Sequence, residues 1–323
     1  MASGRGRVAA AGGWNMTLLT AVGQRAFRLA AVRRAALTAG AVRGHGLVLI
    51  FHRVVPEDAP GGLVPAVPQP LFRRMLEALL DAGEIVALEA LLDPPANPRR
   101  ARFALTFDDD WATHHDEVLP VLTRLGLTAT FFLSGRALHR LPALWFEQLD
   151  ALIAARGVRN AARLLELGAV GPDEIALACE RDAALQARIE QWVDGDVRRV
   201  GSHEIRALAA SGMTIGFHTL QHRVLSLLDG PAMKEAVLAG RAELEEIAGS
   251  PVRLFAYPHG RGDERAAPHL RRAGFRAAFT GRPGPIRPAD DPYLLARWEP
   301  GPMELDRFVS RLGIRLNGWT GRP

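Results

Sequence analysis

The sequence predicts an α/β protein whose parallel strands form a distorted (β/α) barrel. Short apolar runs that suit buried parallel strands alternate with segments of helical periodicity. Polar residues follow the C-terminal ends of several apolar runs, and active sites of (β/α) barrels collect on that rim. An open doubly wound sheet is the alternative. No glycine-rich dinucleotide or phosphate fingerprint follows an early strand, so a Rossmann-type cofactor is not expected.

The elements follow one another in a regular order. Continuous apolar or β-branched runs predict strands at 46–51, 85–88, 103–107, 128–133, 213–217, 253–257, 277–280 and 294–298. Apolar residues at helical spacing predict helices at 72–82, 118–125, 231–248 and 266–273, with a long helical stretch from about 144 to 210. Gly126 and Gly249 stand directly behind two of these helices, where a left-handed C-cap is expected, and Pro231 stands at the start of one.

The predicted organisation is a basic N-terminal extension, 1–45, followed by one barrel domain, 46–323, with a helical insertion at about 140–211. The first acidic residue is Glu57, and eight arginines precede it. Residues 16–32 suit a basic amphipathic helix that could lie on an anionic membrane surface. A transit peptide and a simple capping extension remain alternatives. We expect neither a signal peptide nor a spanning helix, and a cytoplasmic protein or one peripheral to the inner membrane.

Composition excludes several classes of protein. Of the 323 residues 48% are hydrophobic, enough for a sizeable core. The formal charge is +5, but Lys234 is the only lysine, so we attribute the arginine content to a GC-rich genome and expect no nucleic-acid partner. Cys179 is the only cysteine, which rules out an intrachain disulfide.

Two motifs carry the chemistry. Asp108, Asp109 and Asp110 follow the predicted strand 103–107, and His218 and His222 follow a later strand. Packing three carboxylates at a barrel mouth is unfavourable without a compensating cation. One carboxylate and two histidines leave an open position on zinc, the pattern of a catalytic site, and a second carboxylate can serve as general base.

Either motif alone is a weak signal. Histidines four residues apart are often structural, and runs of aspartate are often solvated turns. Two histidines and a carboxylate also describe a non-haem Fe(II) site. A third strand end, Tyr257-Pro258-His259-Gly260, strengthens the combination.

From Leu47 to Trp298 the chain resembles the polysaccharide deacetylase family, the NodB-homology or chitin-deacetylase-like hydrolases. The resemblance rests on three ordered motifs: Thr106-Phe-Asp-Asp109, His218-Thr-Leu-Gln-His222 and Phe255-Ala-Tyr-Pro-His-Gly260. The segment Phe51-His-Arg-Val54 also looks like the first strand end of many members.

The resemblance implies a metal-dependent enzyme that removes acetyl groups, N-acetyl above all, from a glycan or glycolipid. Asp109, His218 and His222 would bind Zn²⁺ or another divalent transition metal. Asp108 would be the general base, and a backbone N–H near Tyr257 would hold the oxyanion.

Three positions depart from the family pattern. Asp110 stands where glycine is usual. Ala256 stands where an arginine that tunes the base is common, so this partner is expected to be missing. Arg297 replaces a histidine that is a proposed general acid. A catalytically impaired carbohydrate-binding pseudoenzyme is therefore the alternative function.

The remaining site predictions concern the general acid and the sugar. His52 or His259 could serve as the acid in place of the missing histidine. We count His259 among the catalytic residues, and we expect substrate contacts from His52, Trp111, Pro258 and Arg297. Trp111 and Trp298 are candidate stacking platforms for a sugar ring, although core packing suits each equally well.

Overall fold

A computed structural model describes residues 31–59, 62–64, 66–168, 171–192 and 197–318. Its strands are β1 Gly46–Phe51, β2 Arg53–Val55, β3 Ala66–Pro68, β4 Gly83–Ile85, β5 Ala101–Asp108, β6 Thr130–Leu133, β7 Thr214–Phe217, β8 Leu254–Ala256 and β9 Ala277–Phe279. A first helix includes residues 31–42. The α-helices that follow it are α1 Gln69–Ala82, α2 Leu119–Leu125, α3 Trp145–Arg156, α4 Val158–Leu164, α5 Pro172–Arg181, α6 Ala183–Glu190, α7 Ser202–Ala210, α8 Gly230–Ala236, α9 Arg241–Ala248, α10 Ala267–Arg272 and α11 Leu305–Leu316.

One curled parallel sheet carries the architecture. Its strands run in the order β1, β5, β6, β7, β8, β9, and β4 pairs with the first half of β5. Beyond β9, the segment 295–298 closes the gap to β1 through parallel bridges from Leu295 to Phe279 and from Trp298 to Leu49. The helices surround this sheet. The structure confirms the predicted distorted (β/α) barrel.

The core explains why the apolar runs form strands. All eight residues of β5 are buried, because neighbouring strands cover its edges and side chains cover both of its faces. Phe107 stacks on Phe51 at 5.6 Å and on Phe131 at 4.8 Å between ring centroids, and Phe72 of α1 meets Phe51 edge-on at 5.2 Å. Aromatic contacts of this geometry contribute about 0.5–1.5 kcal/mol beyond area burial.

Several element boundaries differ from the prediction. The helix expected at 231–248 is two helices, α8 and α9, because Gly240 takes a left-handed conformation (φ 85°) that interrupts the turn. The strand expected at 85–88 ends at Ile85, and a 3₁₀ turn over Leu88–Leu92 follows it. The C-terminal helix α11 was not predicted; its face of Phe308, Leu312 and Leu316 is buried.

The helical stretch between β6 and β7 consists of two parts. The helices α3 to α6 form an insertion with its own apolar core; this core contains Leu149, Leu152, Ile153, Ala161, Ala162, Leu165, Ile175, Cys179 and Ile189. The last helix, α7, instead belongs to the barrel, because its Ile205 and Leu208 join the main core beside β7.

Two anchors hold the insertion against the barrel. Asp150 of α3 is buried, pairs with Arg53 and accepts a hydrogen bond at 3.0 Å from the N–H of Val64. Arg199, just after the insertion, bridges to Trp111, which follows β5. A buried ion pair of this kind is costly to break because one unpaired charge would stay in the interior.

The predicted N-terminal helix lies outside the described residues except for its last two positions. Residues 31–42 are helical and pack on α11. A Cβ atom at Gly40 would come within 2.7 Å of the Leu316 side chain, and the Asn317 side chain donates to the Ala36 carbonyl at 2.8 Å. Within the described ranges, no helix has the length and apolar character needed to cross a bilayer.

Glu147 is a buried carboxyl group in the first turn of α3. Its Oε2 accepts a hydrogen bond at 2.6 Å from the N–H of Leu144. Burial, followed by the charges of Asp110 and Asp109, raises its pKa from 4.5 to about 8. The folded protein therefore binds more protons than the unfolded chain between these two values.

We expect the free energy of unfolding to fall as the pH rises through that window, by at most about 1.4 kcal/mol per pH unit from this group. Glu147→Gln keeps a hydrogen-bond acceptor but cannot ionise, so its stability should depend less on pH. Chemical denaturation at about pH 5, 7 and 9 measures the difference. Glu57→Gln, which changes an exposed carboxyl group, is the control. Parallel pH profiles of Glu147→Gln and the wild type would contradict this assignment.

Candidate metal centre and active site

Three potential metal ligands meet at the C-terminal rim of the barrel. Asp109 follows β5, and His218 follows β7. The Nε2 atoms of His218 and His222 lie 3.5 and 3.3 Å from Asp109 Oδ1, and 3.2 Å from each other. Ligands of a tetrahedral zinc ion at 2.0–2.1 Å are separated by about 3.3 Å. The spacing of the three atoms thus fits one small divalent cation.

The orientation of the donor atoms also suits a metal. His218 Nδ1 lies 2.9 Å from the Ala256 carbonyl oxygen, which fixes Nδ1 as the donor and leaves the Nε2 lone pair for a ligand. Asp109 Oδ1 is buried and has no hydrogen-bond partner among the described residues. A buried carboxylate oxygen without a donor is costly, and a cation would compensate for it.

The protonation states of Asp109 and His218 also favour metal binding. Burial lowers the pKa of His218 to about 4, so its imidazole is neutral at neutral pH. Burial alone would raise the pKa of Asp109, but the close approach and charge of His222 and the charge of His218 outweigh it and lower this pKa well below its usual range. Asp109 therefore presents a carboxylate, and His218 presents a neutral imidazole nitrogen.

Backbone strain is concentrated at this site. Six non-glycine residues in the described part of the chain have positive φ, and four of them surround the cluster: Asp109, Thr219, His222 and His259. Each such conformation costs of order 1–3 kcal/mol and persists only where the surrounding structure enforces it, typically at functional sites. This observation is independent of the ligand distances.

Asp108, next to the cluster, forms a buried two-pronged ion pair with Arg297. The guanidinium donates to both carboxylate oxygens at 2.7 Å. Two further N–H groups donate to the Thr280 carbonyl at 3.1 Å and to Thr106 Oγ1 at 3.2 Å, and the guanidinium lies over the Phe132 ring. Burial would raise the pKa of Asp108, but the charge and hydrogen bonds of Arg297 outweigh it and hold this pKa below its usual value.

This pair corrects two expectations. The base was expected to lack an arginine partner because Ala256 stands where the family often has arginine, yet Arg297 pairs with Asp108 from another strand end. Arg297 was also expected to bind substrate. It lines the cavity, but it is fully buried, and four of its five N–H donors are engaged by the protein, two of them by Asp108.

His52 and Glu299 form a second polar pair at the cavity. His52 Nδ1 lies 3.0 Å from Glu299 Oε1, which leaves Nε2 without a partner in the described structure. Burial would lower the pKa of His52, but the hydrogen bond and charge of Glu299, helped by Asp109 and Asp108, raise it to about 9. Sequence reasoning missed Glu299. It directly follows the predicted strand 294–298, so a search of every strand end would have found it.

The cavity that contains these groups has a volume of about 590 Å³ and two unlike walls. The barrel wall carries the cluster, Asp108, His52 and His259. The wall formed by the insertion and the adjoining loop is mostly apolar; its residues are Val64, Trp145, Phe146, Ala176, Leu177 and Glu180. Glu180 reaches across to Arg261 of the barrel at 3.7 Å.

Trp111 and Pro258, two expected substrate contacts, lie outside the cavity lining. Trp111 is only 5% exposed and lies beneath the Arg53 guanidinium, at 5.1 Å, so no sugar can stack on it. Trp298 is likewise buried and stacks on Phe308. Pro258 is buried at the start of the 3₁₀ turn that presents His259.

Tyr257 has a structural role. Its N–H donates to the Phe279 carbonyl at 3.0 Å as part of the sheet, and its hydroxyl donates to the Tyr293 carbonyl at 2.9 Å. This amide therefore cannot hold an oxyanion. The N–H of His259 lies in the first turn of the 3₁₀ segment, where amides have no partner inside the turn, and no described residue accepts it.

Asp110 and His114 are both internal. Asp110 replaces the usual glycine; its carboxyl group accepts hydrogen bonds from the Ser134 N–H at 2.8 Å and from the Ser134 hydroxyl at 2.5 Å. Burial raises the pKa of Asp110. His114 is also fully buried, and its Nε2 lies 2.8 Å from the His52 carbonyl oxygen. Both residues support the turn that carries the cluster.

Comparison with solved structures supports the fold. The IcaB structure from Ammonifex degensii has 22% identity and a TM-score of 0.56, covering 83% of this chain and 97% of that chain. Streptococcus pyogenes deacetylase PplD in complex with acetate has 16% identity and a TM-score of 0.55, covering 80% and 93%. The de-N-acetylase from Aggregatibacter actinomycetemcomitans has 15% identity and a TM-score of 0.53, covering 79% and 94%. No curated protein matches the chain significantly in sequence.

The match to a family model includes several residues of the candidate site. The model of the polysaccharide deacetylase family matches residues 96–278, more than half of the chain. This range contains the two aspartates, both cluster histidines and His259, whereas His52, Arg297 and Glu299 lie outside it. The chain therefore belongs to the polysaccharide deacetylase family and is a deacetylase enzyme.

Proposed function

We propose that this enzyme removes acetyl groups, chiefly N-acetyl groups, from a glycan with the help of a divalent metal ion, Zn²⁺ in the first instance. The observation that carries the proposal is the arrangement of Asp109, His218 and His222 around one point, with the Asp108–Arg297 pair beside it in the same cavity. Zinc held there would act as a Lewis acid toward the acetyl carbonyl and would acidify a water molecule.

Residues around the cluster would carry out the remaining catalytic steps. Asp108, kept ionised and oriented by Arg297, accepts the proton of the attacking water on a carboxylate oxygen, which still has a free lone pair. The N–H of His259 donates to the oxygen of the tetrahedral intermediate. His52, held by Glu299 through Nδ1, donates a proton from Nε2 to the leaving amine. The expelled products are acetate and an amino sugar.

Asp109→Ala and His222→Ala should each abolish both stoichiometric metal binding and acetate release, because each removes one of three ligands. Metal content by mass spectrometry, which also separates zinc from iron, and acetate release from acetylated oligosaccharides measure the two effects. His203→Ala, which changes an exposed histidine, is the control. Undiminished acetate release by either ligand variant would refute the metal-dependent mechanism.

Arg297→Ala should lower kcat/KM at neutral pH by about 100-fold or more, because it leaves Asp108 buried without its cation. Loss of the arginine raises the pKa of Asp108, so the acidic limb of the pH–rate profile should move to higher pH. Arg297→Lys should restore part of the rate, since it keeps the charge but not the two-pronged geometry. An unshifted acidic limb in both variants, with folding intact by circular dichroism, would contradict the positioning role.

The pseudoenzyme alternative is weakened by the same pair. That alternative rested on two departures from the family pattern, Ala256 in place of an arginine and Arg297 in place of a histidine. Arg297 itself supplies the cation next to Asp108, from a different strand end. A pseudoenzyme would bind acetylated glycan but release no acetate with zinc or another divalent metal supplied. An acetate-release assay over several acetylated glycans, including glycolipids, therefore discriminates the two functions and the substrate class.

Peripheral contact with an anionic membrane is a separate part of the proposal. A second cavity, of about 410 Å³, lies where β4 and β5 begin, at the end of these strands opposite Asp108 and Asp109. Arg33, Arg34, Arg99 and Arg100 line it, and Asp81 is the only acidic residue there. Residues 1–30 add four arginines and no acid, so this part of the chain cannot neutralise the cavity. Clustered arginines attract the phosphates of anionic lipids.

The double variant Arg33→Glu/Arg34→Glu should bind vesicles of phosphatidylglycerol and phosphatidylcholine much more weakly than the wild type, by roughly 1 kcal/mol or more for each reversed charge. Co-sedimentation at low and high salt measures the difference. Arg206→Glu/Arg253→Glu makes the same charge change on other exposed positions and serves as the control. Equal loss in both double variants would indicate a general charge effect and no specific membrane-binding face.

A further inference from the structure

The loop that joins the two candidate histidine ligands has a strained backbone. Thr219 and His222 have positive φ, at 63° and 49°. Such conformations persist only where the surrounding structure enforces them. Inside the loop, the N–H of His222 reaches the Thr219 carbonyl only at 3.4 Å, which is long for a hydrogen bond. Contacts from outside the loop are therefore needed to keep His222 next to Asp109.

Arg136, in the turn after β6, supplies contacts of this kind. Its side chain is buried, and its Nη1 donates to the Leu220 carbonyl at 3.0 Å and to Gln221 Oε1 at 3.2 Å. Its Nε and Nη2 donate to the Pro142 carbonyl at 3.1 and 2.8 Å. Leu220 and Gln221 directly precede His222, so the guanidinium holds the backbone that leads into this ligand.

The surroundings of the Arg136 guanidinium are unusual for a buried cation. All four hydrogen bonds that its side chain makes within the described structure go to uncharged oxygen atoms. Burial lowers the pKa of Arg136, although the charge of Glu147 opposes this effect. Burial of a cation without a bonded carboxylate is costly. The loop that the side chain holds explains its presence better than space filling does.

The backbone of Arg136 is linked to the other half of the metal centre. Its N–H donates to Ser134 Oγ at 3.2 Å. The Ser134 hydroxyl and N–H in turn donate to the two carboxylate oxygens of Asp110, at 2.5 and 2.8 Å, and Asp110 directly follows Asp109. Glycine, which is usual in the family at position 110, has no side chain that could make this link. The link therefore depends on a residue by which this chain departs from the family pattern.

We propose that Arg136 is a positioning residue for the metal centre: it braces the loop that carries His222 against the turn that carries Asp109, so that the ligands are aligned before an ion binds. The brace consists of Asp110, Ser134 and Arg136. This inference rests on the proposed metal-dependent function and gives a role to residues that the catalytic steps leave unused. Ligands that are already aligned need less ordering on binding, so the brace increases the affinity for the ion.

Arg102 provides a matched control for Arg136. It is also buried, and its Nη1 donates to the carbonyl oxygens of Ala90 and Asp93 at 2.8 and 3.1 Å. It lies near the start of β5, at the end of the strand opposite Asp108. Arg136→Ala and Arg102→Ala each remove a buried guanidinium that binds backbone carbonyls, but only the first change touches the brace.

The first measurement concerns the bound ion. Competition with a chromophoric chelator gives the affinity for Zn²⁺, and the visible absorption spectrum of Co²⁺ bound in its place reports the coordination geometry. Arg136→Ala should bind Zn²⁺ about tenfold more weakly or worse, as expected for loss of a residue that supports a ligand, and its Co²⁺ spectrum should change. Arg136→Lys should recover part of the affinity, since it keeps the charge without the forked geometry. Arg102→Ala should match the wild type in both measurements.

The second measurement uses the metal-free protein. Hydrogen exchange by mass spectrometry follows the peptide that covers residues 218–223. Its amides should exchange faster in Arg136→Ala and in Ser134→Ala than in the wild type and in Arg102→Ala. The double variant Ser134→Ala/Arg136→Ala should exchange little faster than either single variant, because both changes break the same brace. Should Arg136→Ala fail to fold, Arg136→Lys takes its place in both measurements, with a smaller loss of affinity expected.

The outcomes separate the brace from the proposed function. Wild-type Zn²⁺ affinity, Co²⁺ spectrum and exchange in the Arg136 variants would overturn the brace and leave the metal-dependent function intact. Weaker binding and faster exchange in these variants, together with no acetate release by the metal-loaded wild type, would overturn the hydrolytic function and leave the brace intact. If the wild type binds no ion, the metal-dependent function fails, and the exchange rates of the metal-free proteins alone decide for or against the brace.

Discussion

Three consecutive carboxyl groups buried at the end of one strand are the constraint on which the rest of this structure depends. Asp108, Asp109 and Asp110 are each 5% exposed or less, and three adjacent charges in an interior cannot all go uncompensated. The fold treats each differently. Arg297 neutralises Asp108, and His218 and His222 lie around Asp109. Asp110 accepts two hydrogen bonds from Ser134, and its pKa is raised. One strand end thus carries the proposed base, a candidate metal ligand and a structural support.

The segment that closes the barrel also supplies the cation that pairs with Asp108. The short segment 295–298 joins β9 to β1 by isolated bridges, and Arg297 lies in it. Its guanidinium donates to Asp108, a residue 189 positions earlier, and to Thr280 at the end of β9. Loss of register in this segment would both open the sheet and leave Asp108 without its cation. The ion pair that orients Asp108 therefore depends on the segment that closes the barrel.

The sequence predicts the parts of the molecule that local pattern encodes. Apolar runs located every major barrel strand to within a few residues, and the rule that polar residues follow strand ends brought Asp109, His218 and His222 together correctly. Contacts made by long side chains across the barrel were not predictable in this way. Motif position suggested that Asp108 lacks an arginine, whereas Arg297 reaches it from the strand end where the family has histidine. Motif position also suggested Trp111 as a platform, but the Arg53 side chain covers its ring. Helical periodicity located the insertion without indicating which of its faces turns toward the metal centre.

The insertion has a hydrophobic core separate from that of the barrel. The residues proposed to carry out hydrolysis lie in the barrel, whereas the insertion supplies the apolar wall of the cavity beside them. Such a division would let a different helical module change the lining of the cavity without repacking of the interior that holds Asp108 and Asp109.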